Sequence, residues 1–216
     1  MPKTFAELQA DLQAEDLGIR MKVLPASRAL SESERFQLVI QAVNDPNSRI
    51  RYDAISQLGT LGQQDINLTQ TVLKEALWHD PEMDVRAAAA DSIAALGLTA
   101  SFTDLAEVYQ QTNDWLLQFS IIAALGELGD ERAYPLLVQA LQHENDLIKT
   151  AAIGALGELD DPTAVEALRP FVAHPDWQIR YRLAQALVNL GTDEAKELLI
   201  ELRHDPDPKV ASMAQS

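Results

Sequence analysis

One spacing constrains this chain more than any other feature. In the stretch 145–160, Ile148 precedes Lys149, and Ala152, Ile153, Leu156 and Leu159 follow at three, four, seven and ten positions beyond the lysine. Apolar residues at those offsets lie on one face of a 3.6-residue helix. The same frame recurs along the sequence, with Arg20, Arg51, Arg86, Gln118, Lys149, Arg180 and Ala211 in the lysine's place, at intervals of 31, 35, 32, 31, 31 and 31. A helix that recurs about every 31 residues cannot bury its apolar face alone and must stack on its neighbours.

Between the framed helices the sequence predicts a second set. Thr4 and Glu7 form a capping box opening a helix through Ala14, with Phe5, Leu8 and Leu12 on one side. Ser31 and Glu34 form another, leading into Phe36, Leu38, Val39, Ile40 and Val43. Asp45-Pro46 and Asp80-Pro81 read as an N-cap followed by the first helical residue. Further helices are expected over 67–78, 85–96, 101–109 and 114–128, with stops at Gly62, Gly97 and Gly129. Ala133, Ala164 and Ala195 coincide on overlay, as do Leu137, Leu168 and Leu199. Pro25 falls within the first framed helix, directly after its core residues Ile19, Val23 and Leu24, and should end or kink it. The fold class is therefore an all-α, HEAT-like α-solenoid of about six to seven short helical-pair repeats. The whole chain, 1–216, reads as one repeat domain, with 1–31 an atypical N-terminal cap and 205–216 a truncated C-terminal one. The framed helices are expected to line its concave side.

Composition narrows the partners. The chain has 47% hydrophobic but only 6% aromatic residues, so its packing is aliphatic and rich in alanine. A net charge of −16 argues against nucleic acid, which demands clustered Lys and Arg, and against an anionic membrane surface. The longest uncharged run considered, 115–126, is too short to span a bilayer, and Met1-Pro2-Lys3-Thr4 opens no apolar leader, so membrane insertion and secretion are not expected. There is no cysteine, which excludes disulfides and thiolate chemistry. No GxSxG, phosphate-binding GxxxxGK[ST] or GxGxxG sequence occurs, so no catalytic residue is assigned.

Four positions before the cation slot stand Asp16, Asn47, Glu82, Asp114, Asn145, Asp176 and Asp207. An acid at i and a base at i+4 pair on a helix surface. The slot cations therefore have two readings: they tie neighbouring units together, or they contact a partner. Flanking slots carry Tyr52, Trp115, Phe119, Trp177 and Tyr181, on the side away from the apolar face, together with Arg182. Aromatic and arginine side chains are the usual anchors of interfaces. The candidate partner-binding set is thus Arg51, Tyr52, Arg86, Trp115, Phe119, Trp177, Arg180, Tyr181 and Arg182, along one groove; for the two tryptophans, filling the seam between units is the competing reading. Gln118 interrupts the cation series amid Leu116, Leu117, Ile121 and Ile122, which fits either buried surroundings or an apolar patch. His79, His143, His174 and His204 fall in the turns before framed helices. Stacked helices lie roughly 8–10 Å apart, whereas zinc ligands converge at roughly 2 Å from the metal, so no metal site is expected.

The runs 148–168, 179–199 and 85–97 resemble the short HEAT-like repeat of the phycobilin-lyase family. That resemblance implies a cytoplasmic protein that binds phycobiliprotein subunits, or other acidic proteins, or their bilin chromophores. It points most closely to the members that act in phycobilisome degradation. A non-covalent bilin such as phycocyanobilin is the one cofactor it implies, since a thioether to this chain is impossible without cysteine. A bilin lyase or chromophore-detaching subunit, and a generic scaffold for another partner, are the alternatives.

Overall fold

The computed structural model describes residues 2–159 and 161–215. Met1, Asp160 at the end of the prototype stretch, and Ser216 in the C-terminal cap lie outside the described residues. The described residues are helical, with α-helices and short 3-10 turns and no strand. In order, the α-helices are α1 (Phe5–Leu12), α2 (Leu17–Arg20), α3 (Val23–Ala26), α4 (Glu32–Ala42), α5 (Ser48–Leu61), α6 (Ile66–His79), α7 (Met83–Ala95), α8 (Phe102–Gln111), α9 (Trp115–Leu128), α10 (Tyr134–Ala140), α11 (Asp146–Glu158), α12 (Ala164–Leu168), α13 (Trp177–Leu190), α14 (Asp193–Leu202) and α15 (Pro208–Met213). They divide into two compact units, residues 1–117 and 118–216.

In the first unit α5 packs along α7, while α4 and α6 cover them from outside. Both capping boxes form, Thr4 with Glu7 and Ser31 with Glu34. The first framed helix is broken, as the proline at position 25 requires: α2 stops at Arg20 and α3 holds Val23 and Leu24 in the core. Ile19, expected in that core, is instead 40% exposed.

In the second unit α11 packs along α13, with α10 and α14 outside and α15 beyond α13. Its framed helices approach to backbone distance. A Cβ on Gly126 would lie 2.5 Å from Ala155 Cα, and one on Gly157 2.6 Å from Ala186 Cα. The alanine richness of the frame has this physical purpose. The apolar stretch around Gln118 is core: Leu117, Ile121, Ile122 and Leu125 are fully buried.

Candidate functional site

The turn before each framed helix decides what the cation slot does. Asp45 Oδ1, Asp80 Oδ1 and Asp205 Oδ1 each accept the backbone N–H two residues on, of Asn47, Glu82 and Asp207. Asp80 is extended (φ −62, ψ 133), the conformation that a following proline imposes. The helix starts later than the sequence suggests. The N-caps of α5 and α7 are Asn47 and Glu82, not Asp45 and Asp80. The residue four before the cation is thus the cap itself, with extended backbone, and Asp16, Asn47, Asn145, Asp176 and Asp207 spend their side chains on helix N–H groups. The expected i,i+4 pairing is therefore corrected: these caps turn their side chains to the helix N–H groups, and Arg20, Arg51 and Arg180 pair with Asp45, Asp80 and Asp205 instead.

The arginines reach across instead. Arg51 Nε and Nη2 donate to Asp80 Oδ2 and Oδ1 at 2.7 and 2.9 Å, and its Nη1 donates to the carbonyls of Asp45 and Pro46. Arg20 repeats this with Asp45, and Arg180 with Asp205. These side chains are 4–13% exposed. Two parallel charge-assisted bonds per pair fix one repeat to the next turn. The hydrogen bond from Arg180 holds the Asp205 carboxyl below its ordinary range, and Asp80 raises Arg51. In the central repeats the aspartate is replaced throughout, and the arginine at two of the three slots. Thr112, His143 and His174 take the aspartate's place, still accepting the N–H two residues on, opposite Arg86, Gln118 and Lys149. Arg86 donates to the Leu77 carbonyl, and burial lowers its pKa. Lys149 turns to Asp146. Arg51 and Arg180 therefore direct their charge at this chain's own aspartates.

The flanking aromatics face solvent to differing degrees. Tyr52 and Trp115 are about half exposed, at 48% and 50%. Phe119, Trp177, Tyr181 and Arg182 are half-buried. In the second unit these residues separate into two recesses rather than one groove. Phe119, Ala123 and Glu127 of α9, Ala151, Ala155 and Glu158 of α11, and Arg182 line the first. There Arg182 lies flat over Gly154, whose absent side chain makes room for it: a Cβ would meet its Nη2 at 2.1 Å. Glu158 Oε1 stands 3.7 Å from the same nitrogen.

Trp177, Tyr181 and Gln178 of α13 line the second recess with Pro208, Lys209, Ser212 and Met213 of α15. Lys209 Nζ sits 4.7 Å from the centre of the Trp177 ring. The consecutive residues Tyr181 and Arg182 diverge because a helix turns about 100° per residue. Lys209 and Gly154 were missed in the sequence. Neither occupies a slot whose chemistry recurs, and only the register between helices brings them to the aromatic residues.

No helix of the described residues is long and apolar enough to cross a membrane. The family model for HEAT repeats matches residues 5–94, 36–126, 71–153 and 135–216. No curated protein matches the sequence. Among solved structures, the complex of CpcE and CpcF of phycocyanin lyase from Nostoc sp. PCC7120 is similar, with a TM-score of 0.66 at 20% identity, over 86% of this chain and 74% of that one. YibA of Escherichia coli gives 0.61 at 15%, over 99% and 92%. The structure of Kap95p with RanGDP gives 0.66 at 12%, over 97% of this chain and 34% of that one. These likenesses carry the fold, and the family matches run together from residue 5 to residue 216: the chain belongs to the HEAT-repeat family.

Proposed function

We propose that this protein is a non-catalytic adaptor that grips phycobiliproteins, or the bilin chromophores they carry, during phycobilisome turnover, in the manner of the phycobilisome-degradation members of the phycobilin-lyase family. The observation that carries the reading is the likeness to the phycocyanin lyase complex over 86% of this chain. The chemistry of the side chains lining the two recesses supports it. Large aromatic groups with adjacent cations, as at Trp177 and Lys209 or Phe119 and Arg182, suit a conjugated, carboxylate-bearing partner. Arg51 and Arg180 contribute by holding the repeats that present those groups.

The test is co-elution of purified protein with intact phycocyanin, repeated with Arg182→Glu and with Tyr52→Ala. Adaptor function predicts a complex with wild type that weakens in at least one variant at unchanged helicity. Absence of any complex would reject it. A second reading, a bilin lyase or chromophore-detaching subunit, is favoured by the lyase activity named for the same similar complex. Transfer of bilin to or from apoprotein in the purified mixture would replace the adaptor reading with it.

A further inference from the structure

The cations of the second unit are almost all spent on this chain's own groups. Arg132, Lys149, Arg169, Arg180, Arg182 and Lys196 each stand within 4.0 Å of a carboxylate, and Arg203 donates to the Ala214 carbonyl. Among the described residues Lys209 has neither for its ammonium group. That group lies instead over the Trp177 ring, at the mouth of a recess whose lining includes no carboxylate. In a chain of net charge −16, an unpaired cation beside an acid-free surface is where an anion meets least repulsion. The recess measures about 690 Å³, inside the ~300–1,000 Å³ span of small-molecule sites. Its walls are a half-buried indole, a half-buried phenol, a proline ring and a methionine side chain. Such groups offer flat apolar area, and the indole N–H and phenol O–H add polar ends that can donate to a ligand.

From this juxtaposition we infer that the Trp177–Tyr181–Lys209–Met213 recess binds a planar conjugated molecule carrying a carboxylate, its ring system against the aromatic walls and its acid on Lys209 Nζ. The inference deepens the adaptor reading and rests on it for the choice of probe. The other recess is a poorer candidate for such an acid, because Glu127 and Glu158 stand at its edge and Glu158 already engages Arg182.

The probe is free phycocyanobilin, compared with its dimethyl ester, which keeps the conjugated system and removes the charge. Trp78→Phe and Trp115→Phe together leave Trp177 as the sole indole reporter. The diacid is expected to quench Trp177 saturably. The ester, and the diacid with Lys209→Glu, should bind at least tenfold more weakly, while Lys209→Arg retains most of the affinity. Lys209 is exposed, so its substitutions leave the fold intact, checked by an unchanged urea midpoint. Equal quenching by acid and ester, no quenching by either, or indifference to Lys209→Glu would overturn the site. Phycocyanin binding without diacid binding removes this site and leaves the adaptor. Diacid binding without phycocyanin binding keeps the site and removes the grip on phycobiliproteins.

Discussion

Arg180 and Asp205 meet through two parallel hydrogen bonds, Nε to Oδ2 at 2.6 Å and Nη2 to Oδ1 at 2.9 Å, while the same Oδ1 caps the N–H of Asp207. One aspartate thus starts a helix and anchors the preceding repeat. Removing the arginine leaves a carboxylate only 4% exposed without its counter-charge. Arg180→Met should therefore cost on the order of 3 kcal/mol. Asp205→Asn, which still accepts the Asp207 N–H, should cost less than Asp205→Ala. Urea denaturation of the three variants checks the order.

The same pair sets an acid limit. The folded pKa of Asp205 is depressed, chiefly by the Arg180 hydrogen bond. Its contribution is therefore fully present above the unfolded value of about 3.9 and is lost as pH falls through the folded value. Unfolding midpoints of wild type should fall below about pH 4. The difference between wild type and Arg180→Met should shrink over that same window. A difference that stays constant down to pH 2 contradicts the linkage.

The Gln118–His143 position lacks the aspartate and the arginine together, which makes the tie transferable. Gln118→Arg with His143→Asp should recreate the fork seen at Arg51 and Asp80. The double variant is expected to be more stable than the sum of the singles by about 1 kcal/mol or more. A double-mutant cycle in urea measures this coupling. Each single change alone should be neutral or destabilising, since it adds a charge without its partner.

Glycine positions on the framed helices should divide by what stands opposite. At Gly126 and Gly157 an added Cβ meets the Cα of Ala155 or Ala186, which cannot move without separating two helices. Alanine there should cost about 1–3 kcal/mol. At Gly154 the obstacle is the end of a flexible arginine, so Gly154→Ala should leave the urea midpoint nearly unchanged and displace the Arg182 guanidinium. Thermal melts separate the two classes.

The fold was legible because it rests on a period that composition could not disguise. Val85, Ile148 and Ile179 precede their slots and are fully buried or nearly so, as the spacing requires. Helix starts were misplaced by two residues at Asp45 and Asp80, because an aspartate before proline resembles an N-cap. Its true role, a turn acceptor shared with an arginine about one repeat away, is a tertiary relationship. The repeating Asp-Pro at 45, 80 and 205 was the available signal. The aromatic slots were exposed as their positions imply, but their partners were not legible. Whether Tyr181 joins Lys209 or Phe119 depends on the stacking offset between helices, which no local pattern encodes.

Titration of the purified protein with intact phycocyanin and, separately, with phycocyanobilin, followed by absorbance and fluorescence, decides whether it grips phycobiliproteins or their bilins. A non-catalytic adaptor should show saturable binding with a shift in the chromophore spectrum, and a time course that reaches a plateau without transfer of bilin. Unchanged spectra with both probes would contradict it and leave a HEAT-repeat scaffold for a partner of different chemistry.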